Sequence, residues 1–465
     1  MHTLIIGGGA AGMAAAIAAA RAGQAVTVLE RGRRPLKKLG VTGNGRGNLL
    51  NAGAPDYPGG TDFAAQVLAA MPYERLAAFW EELGVPLRLE EEGRVYPASL
   101  LASTAVDALG LAARRLGVEI IVNARVTDLL SLPAGGFEAR GTVCRYLPDV
   151  SKKSGKTRPG ALAQETAACW RGDRVIVAAG GAAAPAHGTD GSAYALLTAF
   201  GHELVPPRPA LCALLADPEP LHALAGQRAR ASLRLLDGQG ACLAQSRGEA
   251  LFAQDGVSGI AAMQLARWWR PGCSLHMDLR ETLLGPCAAQ TRGPEALAET
   301  ERLLRARAQS RGDCLLGDLL TGAAPRVLND ALLRAAGLER YSHEPLRPLL
   351  SARPGTIAAL ARAIVDFQVA VTGTRGFENA QVTAGGVATD GFDPLTLQSR
   401  LCPGLYAAGE MLDVDGACGG FNLMFAVASG LLAGGTRYLE IFSFCPTPCL
   451  NNYHNHAILR LLIRL

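Results

Sequence analysis

The first thirty residues constrain this chain more than any other stretch. An apolar run, His2 to Ile6, meets the glycine string GGGAAG. An alanine-rich segment follows from about Ala10 to Arg21, then Gly23, then a second apolar run, AVTVLE, ending in Glu30. This reads as strand, G-x-G-x-x-G turn, helix and strand, with an acid 18 residues after the last glycine. Each part has a physical task. Gly7 permits the tight turn, Gly9 lets backbone approach a pyrophosphate, and Gly12 lets helix and strand pack closely. Ala10 and Ala11 open the helix, whose free N–H groups and dipole favour an anion. Glu30 is placed to accept from ribose hydroxyls, and its charge disfavours a 2′-phosphate. The fingerprint predicts dinucleotide binding and by itself leaves NAD and FAD open.

Further glycine-rich segments recur in order along the chain. A basic run, RGRRPLKKLG, contains Lys38 and leads into VTGNGRGNLLN, where Gly43, Gly45, Arg46 and Asn48 form a loop suited to lie flat on a large ligand. Arg46 is the candidate to neutralise phosphate or a flavin carbonyl. Residues 175–181, VIVAAGG, read as a strand stopping at Ala179, Gly180 and Gly181, as a strand does when its end meets a ligand. TLQSRLCPGLYAAGEMLD brings Gly409, Glu410 and Asp413. DGACGGFNLMFAVASGLLAGG then runs from Gly419 and Gly420 into an apolar helix expected to begin near Asn422.

This order resembles the two-dinucleotide-fold flavoproteins, and the resemblance implies FAD. It implies that Glu410 contacts the ribityl chain, that Gly419, Gly420 and Asn422 flank the isoalloxazine, and that the backbone of Val126, in IIVNARVTDLL, meets the adenine. With GRVYPAS (93–99), GEALFAQDGVSG (248–259) and QVTAGGV (381–387) added, the chain resembles the HI0933-like family of NAD(P)/FAD-dependent oxidoreductases. That family includes bile-acid enone reductases and aminoacetone-type oxidases. The implied fold is α/β: a Rossmann-type FAD-binding domain with an inserted β-rich subdomain and a small helical insert. One departure stands out. Where the family reads G-R-C-N-L-T-N, this chain has Gly47 and Leu50, so no thiol adjoins Arg46.

The length of 465 residues suggests about three domains. The flavin domain is expected at 1–200 and 355–438, the β-rich subdomain at 201–265 and 340–354, the helical insert at 266–339, and an atypical tail at 439–465. Asp237-Gly238 predicts a hairpin turn, SLHMDLR a strand, residues 293–311 and 324–337 helices, and 354–371 one returning helix. His187 and His202 flank a further expected helix, 190–200, as capping or surface residues.

A net charge of 45 − 41 = +4 is small for this length, so no nucleic-acid partner is expected. The basic stretch 151–160 reads as an exposed hairpin tip. Eleven cysteines, an odd number without framework spacing, point to free thiols in a reducing cytoplasm. Cys445, Cys449, His454 and His456 match no closed metal-site spacing, so no metal is expected. No gap-free apolar run of about eighteen residues occurs, so no membrane span is expected.

The sequence has neither a second fingerprint nor a C-x-x-C near the flavin motifs, which disfavours a disulfide reductase. The expectation is hydride transfer from NAD(P)H, a transient visitor, through FAD to a conjugated C=C of an apolar small molecule. Tyr96 and Asp415 are the candidate proton donors. The alternatives are a flavin amine oxidase using oxygen, a non-catalytic flavin redox sensor, and an RNA-modifying flavoprotein.

Overall fold

The computed structural model describes residues 1–151, 157–158, 160–311 and 314–435. Its apolar burial falls into two clusters. One centres on the N-terminal strands and the last helix, the other on residues 212–371. The first cluster surrounds a five-stranded parallel sheet in the spatial order Leu405–Ala407, Arg174–Val177, His2–Ile6, Ala25–Glu30, Glu119–Val122. The inner strands are apolar on both faces because the helix Ala10–Arg21 packs on one and the strands Ala124–Ser131 and Leu162–Gly172 pack against the sheet from the other. The chain runs outward from His2–Ile6 in one direction and later returns on the other side, so a crevice opens at the carboxyl end of that first strand.

The fingerprint helix, Ala10–Arg21, and the last helix, Phe421–Gly434, lie against each other through small residues. A Cβ on Gly430 would collide with the Ala11 carbonyl, and one on Gly434 would press the Ala15 carbonyl. A three-stranded antiparallel sheet, Ala124–Ser131, Phe137–Tyr146 and Leu162–Gly172, extends from this domain. At its tip Val150–Ser151 pairs with Thr157–Arg158, as the expected hairpin requires. Residues 152–156 and 159, and the whole 439–465 tail with its Cys and His residues, lie outside the described residues.

The second cluster fills a closed six-stranded barrel. The hairpin Arg228–Leu236/Cys242–Ala253 supplies two of its six strands, and the Asp237 carboxylate folds the turn by accepting from Gln239 and Ala241 N–H. Ala229, Ala231, Leu233 and Leu235 alternate inward, the two-residue period of a strand with one buried face. Helices Gly293–Ser310 and Arg326–Ala335 stand where their patterns predict.

Three expectations differ from the structure. The returning segment is a helix only over Thr356–Val365, and Phe367–Thr374 is a strand. Phe367, Val369 and Val371 point inward at period two, and that alternation prevails over the helical run before it. This strand and Ser274–Asp278 pair with each other and complete the barrel. The barrel therefore draws on residues that the sequence boundaries assign to the flavin domain and the helical insert. Over 190–200 the helix is shorter than expected, a 3-10 turn Ser192–Tyr194 running straight into the α-helical Ala195–Thr198. His202 is buried rather than superficial, stacked on Phe392 and bonded to Ser399. Among the described residues no helix is long and apolar enough to cross a membrane.

Candidate functional site

A cavity of about 710 Å³ opens at the carboxyl end of the first strand and runs between the two domains. Gly7, Gly9, Ala10 and Ala11 line it, and the glycines differ in their task. A Cβ on Gly7, whose φ is +106°, would press the Ala178 carbonyl, and one on Gly12 would strike the Gly7 carbonyl. Gly12 thus lies beneath the cavity as a packing glycine. Nothing lies within 4 Å of the space a Gly9 side chain would take, so that side is open to a ligand. No side chain caps the fingerprint helix, which leaves its first amides free for an anion.

At one end, Glu30 accepts from Gly8 N–H at 2.8 Å and from Gly32 N–H, which holds its carboxylate at the rim beside Val126. Further in, Lys38 and Glu410 form an ion pair at 2.6 Å. Ala179 and Gly180 line the wall here. Gly181 and Gly409 lie just behind it, where side chains would press Thr383 and Ala11.

At the other end, the last helix starts uncapped after Gly420, where a Cβ would run into the Leu50 carbonyl. Asn422 folds the preceding loop by exchanging two 2.8 Å bonds with Gly416. Gly43, Arg46, Asn48, Gly419, Gly420 and Asn422 all line this end, whereas Gly45 does not. The Asn48 Oδ1 is buried with no protein partner, a polar atom that a ligand donor would satisfy. Arg46 is committed elsewhere: it pairs with Glu90 and lies over the Tyr96 ring, 4.4 Å from its centroid.

The two candidate proton donors part company. Tyr96 lines the cavity with its ring otherwise buried. Asp415 is outside the cavity lining, 2% exposed, with Arg267 of the barrel domain at 2.9 Å. Burial pushes its carboxyl up to about 6 even though Arg267 pulls the other way. Asp413 is also outside the lining, and burial raises it as well.

Sequence reasoning missed the barrel's contribution. Leu211, in the connection leading into the barrel, and Ile260 of the barrel domain line the same cavity, as does Val414. It also missed backbone strain. Of the eight non-glycine residues with positive φ among the described residues, four line this cavity: Leu36, Asn44, Ala184 and Leu211. Strain of that kind gathers where surrounding structure holds a functional geometry.

A second constellation lies on the barrel. Ser274 Oγ stands 2.9 Å from His276 Nε2, and His276 Nδ1 stands 2.8 Å from Asp366. The spacing matches a nucleophile–base–acid relay. Ser274 sits in a strand paired on both sides, so ladder partners take the local amides needed for an oxyanion site. Arg234 and Gln368 also occupy Asp366. The cluster ties strands together.

The HI0933-like protein Rossmann domain matches residues 1–436. A 3-dehydro-bile acid delta(4,6)-reductase of Clostridium scindens is 36% identical over 437 residues, covering 92% of this chain and 97% of that protein. Ribosomal RNA dihydrouridine synthases of Haemophilus influenzae and Escherichia coli are 25% and 26% identical, each across 92% of this chain and 96% and 95% of their own lengths.

Proposed function

From the premise that this chain belongs to the HI0933-like family, we propose that it is an FAD-dependent oxidoreductase that saturates a conjugated C=C in an apolar small molecule, with NAD(P)H as donor. The observation that carries this reading is the single cavity. It joins an uncapped helix N-terminus and a ribose-height carboxylate to a mouth bearing a phenol and apolar side chains from a second domain. The relatives' names agree on the chemistry. A bile-acid Δ4,6-reductase and a dihydrouridine synthase both saturate a C=C conjugated to a carbonyl.

The residues present fit the cofactor. Glu30 would hold the adenosine ribose, the amides after Gly9 the pyrophosphate, Glu410 the ribityl chain, and Asn48 with the Gly419–Asn422 turn the ring system. Bound FAD would supply hydride. The chain supplies the rest: Leu211, Ile260 and Val414 exclude water and seat the apolar substrate, and the Tyr96 phenol delivers the proton to the second carbon. Arg46 lies over that ring, where its charge faces the phenolate left behind. Asp415 is assigned to holding the loop that carries Ala417 to Asn422, through Arg267, instead of to proton donation.

Mixing the holoenzyme anaerobically with NADH and with NADPH tests the proposal. Bleaching by one donor, then recovery of flavin absorbance on adding a 3-oxo-Δ4 steroid, is the expected sequence. Absence of bleaching with either donor overturns it. The two RNA-acting relatives favour a second reading, a uridine in RNA as acceptor. Reoxidation by a uridine-containing RNA but not by the enone would select it.

A further inference from the structure

We infer that Thr383 is the positioning residue for Glu410, and that it sets how tightly the flavin dinucleotide is held; this rests on the FAD reading above. Thr383 is 1% exposed and stands near the start of the strand Val382–Val387. Its hydroxyl oxygen accepts from the N–H of Ala182 at 2.8 Å and of Ala183 at 2.9 Å. With both lone pairs engaged, the hydroxyl donates its proton to Glu410 Oε1 at 2.9 Å. The Thr383 amide donates to that same oxygen at 2.9 Å. Tyr194, whose phenol stays protonated through burial and the nearby Glu410 charge, also lies beside the hydroxyl.

The consequence is a carboxylate with no freedom. Glu410 Oε1 receives two donors from Thr383, and Oε2 receives Lys38 at 2.6 Å. One lone-pair direction of four remains for a hydroxyl in the cavity. The arrangement also explains a glycine. A Cβ at Gly181 would overlap the Thr383 hydroxyl, so the small residue is what admits the hydrogen bond. The hydroxyl thus locks together the loop that follows the strand Arg174–Val177, the strand Val382–Val387 and the turn bearing Glu410.

Replacing Thr383 by Val preserves shape and removes the hydroxyl. Two buried amides then lose their acceptor and Glu410 loses one of two donors on Oε1. Titrating apo protein with FAD and following the quenching of flavin fluorescence, T383V should bind about ten- to a hundredfold more weakly, and T383S within about threefold of the wild type. The absorption bands of bound flavin should shift in T383V only. A merely structural residue would lower the melting temperature of the apo form and leave the FAD dissociation constant and spectrum unchanged. That result overturns the inference. Should T383V fail to fold, T383A in a cycle with E410Q decides. Non-additive losses of affinity support action through Glu410, and additive losses overturn it. A wild type that binds no FAD overturns the flavin reading itself, a distinguishable outcome.

Discussion

The proposed chemistry rests on single side chains. Tyr96 presents a phenol to the cavity while its ring is buried under Arg46. The Tyr96→Phe enzyme should keep its rate of flavin reduction by the nicotinamide and lose about a hundredfold in the reoxidation step with an enone, measured by stopped flow. Leu211 holds its side chain in the cavity at a φ of 49°, a conformation that costs a leucine energy. In Leu211→Gly, relief at that φ offsets part of the lost burial, so the protein should fold with KM for a bulky apolar substrate raised about tenfold. Such a residue is invisible in sequence. Nothing in RPALCALL distinguishes Leu211 from Leu214, because the difference is a backbone angle imposed by the turn between two strands. By contrast Gly7, Gly9, Gly12 and Glu30 were legible, because their spacing is the geometry of a turn.

Helices and strands show where local pattern suffices. The fingerprint unit and the barrel hairpin follow from residues near one another in the chain, and their periodicities survive folding unchanged. The segment after Pro354 does not. Its first half favours helix, and only pairing with Ser274–Asp278, some ninety residues earlier, reveals that the second half is a strand. The contact between the first and last helices is a second long-range fact. Gly430→Ala would place a methyl against the Ala11 carbonyl, and the clash should exceed the gain in helix propensity. Denaturant unfolding should show a loss of about 2 kcal/mol, with weaker flavin retention because Ala11 lines the cavity.

The whole molecule holds two apolar cores, and the buried ion pair of Arg267 with Asp415 reaches from one to the other. Burial raises the native Asp415 carboxyl to about 6, so the native state grips the proton more tightly than the unfolded chain does. Its contribution to stability is therefore full below about pH 4 and is lost as pH rises through about 6. Denaturation midpoints from pH 4 to 7 should fall more steeply for the wild type than for Asp415→Asn. Parallel slopes would refute the assignment. The cofactor motifs sit at both ends of the sequence, and the first apolar core likewise draws on residues from both ends. The partition of barrel strands was not legible there, because a strand's sheet is chosen by partners far away in the chain.

The parallel sheet has one further consequence, for the protein's birth on the ribosome. The strand Arg174–Val177 takes its outer neighbour, Leu405–Ala407, from much later in the chain. At roughly 5–20 residues per second, translation from Val177 to Leu405 takes on the order of ten to fifty seconds. Throughout that interval an apolar strand edge stands unpaired, a template for another nascent chain. The barrel is complete by Thr374, so it can fold while the older half of the protein still waits for its last strand. Flavin loading then waits for Leu405–Ala407 and the helix behind it, and a chaperone that shields the first domain during elongation would raise the yield of holoprotein more than extra flavin would.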